Sequence, residues 1–595
     1  MEYGRLGSPE PSCLGSSSRS LTPNQTRKPK NPKLKLLFIL AATLVLASAA
    51  AIAVAIRNTD DSGGDAQLHS RRPSQAISRA CGRTQYPNLC IDSLLDFPGA
   101  SEKDLVHISV NATLRRFGHA LYSASEISNL NMDPRVRSAF DDCLELLDDS
   151  VDLLSKSLTS VSAQDVMTWL SASLTNQDTC SEGFDELNGY VKSQMSGRLK
   201  DLSELVSNCL AIYAAEEGGG DFSDIPIQNR RRRLLKEVEH KRFPKWLSGR
   251  DRMLLNMPVT AITADYIVSR DGKGTCKTIA EAIKKVPDNS TRRYIIYVKA
   301  GKSPFHILVG WLSIICYGYE EKILKVGRKK TNIMFVGDGK GKTVISGGKS
   351  VQDNMTTFHT ASFAATGNGF IARDMTFENW AGPGKHQAVA LRIGSDHAVI
   401  YRCNIIGYQD TLYVHSQRQF YRECDIYGTV DFIFGNAAVV LQNCIMHARK
   451  PMPFQKVTIT AQNRKDPNQN TGISIHNCRL VAEPDLKSNK SAYPTYLGRP
   501  WKLYSRTVYM LTYMDDHINP RGWLAWNDTF ALDTLYYGEY MNYGPGGAIG
   551  QRVNWTGHHV ITAPSEAGKF TVAQFISGST WLPSTRVSFM AGLQT

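Results

Sequence analysis

The sequence lacks the signatures of several common active sites. It contains no Gly-x-Ser-x-Gly segment, which excludes the nucleophile elbow of a serine hydrolase. No Cys and His residues have zinc spacing, and no Gly-x-x-x-x-Gly-Lys-Ser/Thr phosphate loop is present, so GDGKGK at 337–342 is better interpreted as a β-turn. Apolar residues are not scarce: 42% against 21% charged is typical of folded chains, and 595 residues predict at least two domains.

Positive and negative charges are concentrated in different parts of the chain. Residues 251–595 contain 39 Lys and Arg against 25 Asp and Glu, and so account for the whole net charge of +14. Residues 81–220 contain 10 against 21, a net charge of −11. A basic half attracts an acidic partner, and a nucleic acid, an anionic polysaccharide or the chain's own acidic half would each qualify. Solubility alone is the simpler alternative.

Residues 36–56, LLFILAATLVLASAAAIAVAI, are 21 residues without a charge, enough to span a bilayer. Five basic residues precede them: Arg27, Lys28, Lys30, Lys33 and Lys35. By the positive-inside rule, 1–35 is then a cytosolic tail and 36–56 a signal anchor whose C-terminal side lies in the lumen. A cleaved signal peptide and a buried core helix are the alternatives. In an exported chain, 12 cysteines suggest an oxidising compartment.

The next segments predict a stalk, a helical domain and a linker. Residues 57–74 are polar, whereas 75–225 have apolar residues at helical spacing and few strand signals, which favours a helical bundle. On one segment a single face carries Phe140, Leu144, Leu147, Val151 and Leu154. Residues 226–255 form a linker, and its run Arg230–Arg233 is either a processing-protease site or simply a solvated charged stretch.

Residues 256–595 have a different character. Short apolar strands alternate with Gly, Asn and Asp, and similar elements recur every 20 to 25 residues, as in GFIARDMTFEN, AVIYRCNIIG, QFYRECDIYG and AVVLQNCIMHA. No helical segments alternate with these strands, which disfavours a doubly wound sheet. The period indicates a parallel β-helix of stacked coils, and a β-sandwich is the alternative from pattern alone.

Two aspartates lie among the strand residues of GYQDTLYVHSQRQFYRECDIYGTVDFIFG. Asp410 and Asp431 are 21 residues apart, about one coil, and Gln387 precedes Asp410 by 23. We therefore expect Gln387, Gln409, Asp410 and Asp431 to line up on adjacent strands about 4.8 Å apart. Paired carboxylates separate into an acid and an ionised base or nucleophile, and amides can stabilise an oxyanion. The alternative is that each Asp only caps a turn.

The segment YLGRPWK adds two further candidates. Arg499 could hold an ionised carboxylate through a fork of hydrogen bonds, and Trp501 could stack on a sugar face. A surface Arg and a core Trp are the alternatives.

Six motifs then carry a resemblance. AGPGKHQAVALR, GYQDTLYVHS, GTVDFIFGNAAVV, DPNQNTGI, YLGRPWK and ALDTLYYGEY, in this order, resemble the plant pectin methylesterases from about residue 261 to 595. Residues 75–230 are similar to the pectin methylesterase inhibitor domain, a four-helix bundle. The resemblance implies a right-handed parallel β-helix, preceded by this all-α bundle, which hydrolyses methyl esters of galacturonate in pectin. It implies no metal or organic cofactor and no nucleic acid.

The resemblance also implies residue roles. Asp431 would be the nucleophile, Asp410 the proton donor, Gln409 and Gln387 the stabilisers of the oxyanion, and Arg499 the group that orients Asp431. Thr357, Gln387, Tyr413, Phe434, Arg499 and Trp501 would contact the substrate. Disulfides would join Cys81 to Cys90, Cys143 to Cys180 and Cys424 to Cys444, with Cys209, Cys403 and Cys478 unpaired.

The family reading explains the charge distribution and predicts the protein's location. The acidic bundle would inhibit the basic enzyme until a protease cleaves at Arg230–Leu235, where RRRRLL is similar to the family's processing motif. The protein would be anchored in a secretory membrane through 36–56 and then secreted to the cell wall. Candidate glycosylation sites are Asn111, Asn289, Asn354, Asn489, Asn527 and Asn554.

One segment departs from the family pattern. Residues 302–318, KSPFHILVGWLSIICYG, form an apolar insertion that includes Cys316, and they represent either an unspliced intron or a loop outside the solenoid. The second hypothesis for function follows from it: a catalytically inactive wall-binding or inhibitory protein in which the insertion disables the β-helix.

Overall fold

The computed structural model describes residues 72–216, 263–269, 271–302 and 324–593. The predicted tail and anchor, the linker 226–255 and almost all of the insertion 302–318 lie outside these residues, as does most of the stalk. Within the described residues no helix is both long and apolar enough to cross a membrane.

Residues 75–216 are helical. They form seven helices in the described chain: α1 Gln75–Cys81, α2 Pro87–Leu94, α3 Glu102–Ser125, α4 Pro134–Ser157, α5 Ala163–Asp185, α6 Tyr190–Leu199 and α7 Leu202–Glu216. The four longest close into a ring in which α3 packs on α4 and α7, and α5 packs on the same two helices. The predicted four-helix bundle is therefore correct at its core, with three short helices added.

Local signals in the sequence place these helices. Asp133 precedes Pro134 and accepts hydrogen bonds from the first free N–H groups of α4, and the Ser162 side chain does the same for α5. Phe140, Leu147 and Leu154 of α4 are buried, as the helical spacing predicted.

The two disulfides predicted for the bundle are present. Cys81–Cys90 joins α1 to the following helix with Cα atoms 5.5 Å apart, and Cys143–Cys180 joins α4 to α5 with Cα atoms 4.5 Å apart. Cys209 is a buried free thiol, as expected.

Residues 266–560 contain the strands of a parallel β-helix. In the described part of the chain they are β1 Tyr266–Val268, β2 Tyr294–Val298, β3 Gly301–Lys302, β4 Leu324–Val326, β5 Ile333–Gly337, β6 Thr343–Gly347, β7 Phe363–Ala365, β8 Ile371–Arg373, β9 Thr376–Asn379, β10 Leu391–Ile393, β11 Ala398–Tyr401, β12 Asn404–Ile406, β13 Leu412–Val414, β14 Arg418–Arg422, β15 Asp425–Gly428, β16 Ile433–Gly435, β17 Ala438–Gln442, β18 Ile445–Ala448, β19 Val457–Gln462, β20 Gly472–His476, β21 Arg479–Ala482, β22 Thr495–Pro500, β23 Arg506–Met510, β24 Tyr513–Met514, β25 Tyr536–Tyr540 and β26 His558–Val560.

These strands stack into three sheets, and successive strands of the chain pass from one sheet to the next. Sheet A has 11 strands in the order β1-β2-β5-β8-β11-β14-β17-β20-β23-β25-β26, sheet B has eight, from β3 to β24, and sheet C has seven, from β4 to β22. The neighbouring strands pair in parallel, for example β13 with β16. The β-sandwich alternative is therefore wrong.

The sequence repeat corresponds to the bends of the coil. The residue directly after a sheet A strand adopts a left-handed backbone in five successive coils: Asp374, Arg402, Glu423, Asn443 and Asn477, with φ between 50° and 57°. This conformation turns the chain sharply from sheet A into sheet B. In the quoted repeats a polar pair, such as Arg422-Glu423 or Gln442-Asn443, separates two apolar stretches. The second residue of the pair is the bend, and the apolar stretches are the strands on either side of it.

Side chains from all three sheets fill the interior of the coil. One continuous buried cluster runs from Val268 to Val553, and Phe335, Phe363, Phe370 and Phe377 form an aromatic group within it. Outside, the short helices α10 Pro564–Gly568, α11 Val572–Phe575 and α12 Gly578–Thr585 pack on sheet A. Two further short helices, α8 Ile279–Lys285 and α9 Pro484–Lys487, lie between strands.

The predicted disulfide between Cys424 and Cys444 is absent. Cys403, Cys424, Cys444 and Cys478 are buried free thiols that precede the first strand residue of sheet B in consecutive coils. Each sulfur lies 3.4 to 3.5 Å from the carbonyl oxygen of the residue two positions before it. Because these backbone contacts orient the four side chains alike, they form a column of equivalent thiols in which no pair is joined.

The coil that carries the insertion does form on both sides of it. Strand β2 joins sheet A, β3 pairs with β6 in sheet B, and β4 pairs with β7 in sheet C. Strands β3 and β4, the described strands on either side of residues 303–323, thus belong to sheet B and sheet C respectively.

We expect the aromatic group of the interior to contribute strongly to stability. Phe377→Ala should lower the free energy of unfolding by about 3–5 kcal/mol, because a fully buried ring leaves a cavity that the stacked coils cannot close. The measurement is urea unfolding followed by circular dichroism. Phe454→Ala, which removes a fully exposed ring, is the matched control and should change the value by less than about 0.5 kcal/mol.

Candidate active site

Asp410 and Asp431 lie in equivalent turns of two adjacent coils. Each turn connects a sheet B strand to a sheet C strand: β12 to β13 for Asp410, and β15 to β16 for Asp431. Leu412 pairs with Ile433, so the two aspartates, each two residues earlier, are laterally aligned. The Asp410 N–H donates to the Val430 carbonyl at 3.0 Å. The predicted alignment is confirmed.

Both aspartates also have the backbone of a turn residue. Their φ angles are 61° and 51°, in the left-handed region that Asp and Asn tolerate best after Gly. The turn-capping alternative thus describes their backbone, whereas their side chains have other contacts.

The Asp431 carboxylate is held by a fork of hydrogen bonds. Arg499 donates from Nε to both oxygens at 2.9 and 3.1 Å and from Nη2 to Oδ2 at 2.6 Å, and the Thr458 hydroxyl donates to Oδ1 at 2.6 Å. The Arg499 guanidinium lies 4.3 Å from the centre of the Trp526 ring. This arrangement suits an ionised carboxylate and fixes its orientation.

Asp410 has the opposite environment. Burial raises the pKa of its carboxyl well above the ordinary value, the charge of Asp431 raises it further, and Arg499 lowers it only in part. The protonated form of Asp410 is therefore favoured, next to a carboxylate whose hydrogen bonds suit an anion. Two carboxyl groups in contrasting environments thus lie in neighbouring turns, one favoured as an acid and the other as an anion.

The structure places the two glutamines on the same line of turns. Gln409 is buried next to Asp410, and its Oε1 has no hydrogen-bond partner among the described residues. Gln387 lies half-buried one coil earlier, where the Ala388 N–H donates to the Gln409 carbonyl at 3.2 Å. Both residues therefore lie in the line of turns that carries Asp410.

Three of the predicted substrate residues, Tyr413, Phe434 and Arg499, lie on the outer face of sheet C. Strand pairing aligns seven residues, one from each strand of the sheet, in a single row: Lys325, Ala364, Arg392, Tyr413, Phe434, Ala461 and Arg499. At about 4.8 Å per strand the row extends about 29 Å. Tyr413 stacks on Phe434 with ring centres 4.2 Å apart, and Trp501 lies 5.9 Å from Phe434. We call this surface the sheet C row.

Thr357 is less central than predicted. It begins a short 3₁₀ segment and is half-buried, whereas its neighbour Phe358 contacts Tyr413 and His415, with ring centres 6.3 and 5.2 Å apart.

Sequence reasoning missed four residues of the site: Phe358, Arg392, Thr458 and Trp526. Thr458 follows Asp431 by 27 residues rather than 21, because that coil is lengthened by the loop 449–456. A strict period therefore misses it. Arg392 lies in the quoted AVALR motif, and strand register with Tyr413 is the signal that could have identified it.

The helical bundle covers the sheet C row. Apolar residues of the bundle form one buried cluster with Phe358, Tyr413 and Phe434. The Thr179 hydroxyl of α5 lies 3.1 Å from His415 Nε2, and Asn436 Nδ2 donates to Thr175 Oγ1 at 2.9 Å. Asp410 and Asp431 are only 8% and 6% exposed beneath this cover.

Opposite charges line the two sides of this contact. Helix α4 pairs Glu145 with Lys325, and Asp149 and Asp152 with Arg328 at 3.0 and 3.2 Å. Helix α5 pairs Asp165 with Arg418, Asp178 with Lys465 and Glu182 with Lys502, at 2.7, 2.9 and 2.5 Å. The acidic half of the sequence therefore neutralises the basic half at the candidate site.

Known proteins share both parts of the chain. The Pectinesterase family model matches residues 265–579, and the model for the plant invertase/pectin methylesterase inhibitor matches 75–212. "Probable pectinesterase/pectinesterase inhibitor 61" of Arabidopsis thaliana is 61% identical over the full length of both chains, and "Probable pectinesterase/pectinesterase inhibitor 34" of the same plant is 65% identical over 93% of this chain and 91% of that protein. The structure "Pectin methylesterase from Carrot" is 52% identical and covers 56% of this chain and 99% of its own, with a TM-score of 0.52.

Proposed function

The chain belongs to the pectinesterase family, and we propose that its β-helix hydrolyses the methyl esters of homogalacturonan in pectin, giving a free carboxylate and methanol. It is a carboxylic ester hydrolase with an inhibitor-like domain at its amino-terminal side. The observation that carries the proposal is the alignment of a buried Asp410, whose pKa is raised well above its ordinary value, with an Asp431 held by Arg499.

The first step forms an acyl-enzyme. An oxygen of Asp431 attacks the ester carbonyl carbon, and Arg499 and Thr458 keep the carboxylate in position for this attack. The carbonyl oxygen becomes an oxyanion, and the side-chain amides of Gln409 and Gln387 donate hydrogen bonds to it. When the tetrahedral intermediate collapses, Asp410 gives its proton to the departing methoxy group and methanol leaves.

In the second step Asp410 acts as a base instead of an acid, and the bond to Asp431 is broken. Asp410, now ionised, takes a proton from a water molecule whose oxygen attacks the acyl carbon. The carbon–oxygen bond to Asp431 breaks, which releases the uronic acid and restores both carboxyl groups. The stacked rings of Tyr413 and Phe434, with Trp501 beside them, offer flat apolar surfaces for the sugar faces.

The inactive alternative is not supported. Its premise was that the insertion prevents the early coil from forming, but β2, β3 and β4 take their places in the three sheets.

We predict that Asp431→Ala and Asp410→Ala each lower methanol release from methylated pectin by at least about a thousandfold, because each removes a group that forms or breaks a bond. Methanol would be measured with fragment 251–595, and circular dichroism would check the fold. The control is Asp425→Asn, which removes the ion pair of Asp425, a sheet B residue, with Lys340. This variant should keep its methanol release. Substantial turnover by either folded alanine variant would remove the role given to that residue.

We further propose that the bundle keeps the precursor inactive. It buries both aspartates and occupies the aromatic part of the sheet C row, so a polymer cannot reach the site while the bundle is bound.

The binding of the helical bundle to the β-helix should weaken as the pH rises to about 7 and above. Burial and the charge of Glu145 raise the pKa of Asp149 to about 7. Burial and the charge of Asp178 raise the pKa of Glu182 to about 7. When these carboxyl groups are exposed to solvent, their pKa is about 4. Docking of the bundle therefore binds protons at pH values between about 4 and 7, so the complex becomes weaker as the pH rises to about 7. Glu145 has a lowered pKa, so its favourable contribution is lost only at acidic pH. Burial lowers the pKa of His415 to about 3, an opposing effect confined below its ordinary pKa of about 6.5.

We predict that the dissociation constant of the bundle rises at least about tenfold from pH 6 to pH 8. It would be measured after cutting a protease site engineered into 226–255. Glu182→Gln should flatten this dependence, whereas Glu102→Gln, whose partner Arg79 lies within the bundle, should not. A dissociation constant independent of pH would contradict the assignment.

We propose also that the protein is anchored through 36–56, cleaved at Arg230–Leu235 and then secreted to the cell wall. The sequence patterns support this proposal. The acidic contacts of the bundle also support it, because cleavage would allow the bundle to leave the site that it covers. Replacing the four arginines Arg230–Arg233 with glutamine should retain the uncleaved protein inside plant cells, as followed by immunoblotting of cell and wall fractions. Full-length active protein in the wall fraction would count against it.

A further inference from the structure

The positive charge of the β-helix half is concentrated in its first coils. Residues 251–349 contain 18 Lys and Arg against eight Asp and Glu, a net charge of +10, whereas 350–595 contain 21 against 17, a net charge of +4. The residues of the proposed mechanism, from Gln387 to Trp501, all lie outside the first of these segments. Most of the charge of this half is therefore found at one end of the solenoid, away from the chemistry.

Helix α8 packs on this amino-terminal end. It lies between β1 and β2 in the chain and contacts β1 and β4, the first described strands of sheets A and C. Ala282 and Ile283 of this helix are buried in the interior cluster, whereas Lys284 and Lys285 in its last turn are exposed. Cations are favoured in a last turn, because the free carbonyl groups give that end of a helix a partial negative charge. The helix thus presents a basic end to the solvent.

Hydrogen bonds from two lysines connect other segments to this helix. Lys285 Nζ donates to the Thr275 carbonyl at 3.1 Å, which places 271–277 beside α8. Lys330 Nζ donates to the Lys284 carbonyl at 3.3 Å, so the turn between β4 and β5 also lies next to the helix. Three segments thereby gather six lysines, and we call this surface the lysine cap: Lys273, Lys277, Lys284, Lys285, Lys329 and Lys330.

Only two of these cations have an acidic partner among the described residues. Lys285 pairs with Glu281 at 2.8 Å, and Lys330 pairs with Asp288 at 2.9 Å. The other four are exposed and form no ion pair with a described residue: Lys273, Lys277, Lys284 and Lys329. The lysine cap therefore retains positive charge that the fold itself does not neutralise.

The helical bundle does not neutralise the lysine cap either. Its carboxylates reach as far as Arg328, which pairs with Asp149 and Asp152 of α4, but the four unpaired lysines stay exposed while the bundle is docked. Strand β4, against which α8 packs, lies three strands, or about 14 Å, from β13, which follows Asp410. The lysine cap is thus separate from the candidate active site and accessible while that site is covered.

We propose that the lysine cap is a second binding surface for pectin, which holds stretches of ionised galacturonate away from the active site. Ionised homogalacturonan carries a carboxylate on each sugar, so one chain can contact several lysines at once. An exposed ion pair contributes little alone, but several that engage one chain act together. The inference rests on the proposed function, because hydrolysis of the esters is what produces ionised stretches.

This surface has a consequence for the inhibited protein. A fully methyl-esterified chain is neutral and offers the lysines no charge, whereas a de-esterified chain is attracted to them at low ionic strength. Because the bundle leaves the lysine cap open, the precursor should bind de-esterified pectin even though its active site is covered. The same surface would hold the enzyme on acidic pectin after the bundle has left.

The test uses the precursor, because its covered active site leaves only the outer surfaces to bind a polymer. The full-length chain, solubilised in detergent, would carry glutamine in place of Arg230–Arg233 so that the bundle stays attached. Binding of a de-esterified oligogalacturonate and of its fully methyl-esterified counterpart would be measured by isothermal titration calorimetry.

Two variants of equal charge are compared in this background. The cap variant removes the four unpaired lysines by Lys273→Gln, Lys277→Gln, Lys284→Gln and Lys329→Gln. The control variant removes four lysines of later coils by Lys385→Gln, Lys487→Gln, Lys490→Gln and Lys569→Gln. Circular dichroism would check that both variants keep the fold, as substitutions at exposed positions should.

We expect the precursor to bind the de-esterified probe at least about tenfold more tightly than the esterified probe at low salt. The cap variant should bind the de-esterified probe at least about tenfold more weakly than the precursor, and the control variant less than about twofold more weakly. Added salt should weaken the binding, and it should do so less steeply in the cap variant, because fewer charged contacts remain to be screened.

An equal loss in the two variants would mean that net charge alone attracts the polymer, and it would overturn the lysine cap. An unchanged affinity in the cap variant, or no binding of the de-esterified probe by the precursor, would overturn it as well. Methanol release by fragment 251–595 with all its lysines separates this result from the proposed function. The fragment is suitable because the carrot structure covers 56% of this chain and 99% of its own, a length close to that of the β-helix alone. If the fragment releases methanol and the cap variant binds like the precursor, only the lysine cap fails; if the folded fragment releases none, the proposed function fails, whatever the binding.

Discussion

The lateral register of sheet C is the constraint on which the site depends. Each coil adds one strand at a fixed spacing, so residues far apart in sequence become neighbours along a line. Asp410 and Asp431 are aligned because their coils are equally long between bends. Arg499 lies two coils further on and is brought to Asp431 by strand pairing, although the intervening coils are longer. A solenoid therefore builds a site from single residues contributed by successive coils, with no need for a loop to fold over it.

Within that frame, environment separates two chemically identical side chains. Asp431 receives the Arg499 fork and the Thr458 hydroxyl, whereas Asp410 is buried without a cation of its own and faces the charge of Asp431. The first is suited to be an anion and the second an acid. Both aspartates have the same left-handed turn backbone, which fixes their positions. Their neighbouring side chains determine which of the two favours the ionised form.

Electrostatics also links the two domains. Carboxylates of helices α4 and α5 form ion pairs with cations around the sheet C row. The Thr179 hydroxyl of α5 contacts His415 at the same surface. A surface that binds an acidic polymer is thus also a surface to which an acidic bundle can dock. The proposed recognition of substrate and the proposed inhibition would both use these charges, which agrees with the uneven charge of the sequence.

Much of this could be predicted from the sequence. The 20-residue period and the polar pairs at each bend are local patterns, so they predicted the coil, and the 21-residue gap placed Asp410 beside Asp431. The period missed Thr458, where a long loop changes the coil length. The disulfide between Cys424 and Cys444, which the family resemblance implied, is absent because both thiols are free in the structure. The sequence by itself determined the bundle, the solenoid and the carboxylate pair, because each depends on short-range spacing. Only the tertiary structure decided that the bundle covers the sheet C row, with Thr179 of α5 against His415 and Glu145 of α4 against Lys325. Such contacts join residues well over a hundred positions apart, and no local pattern encodes them.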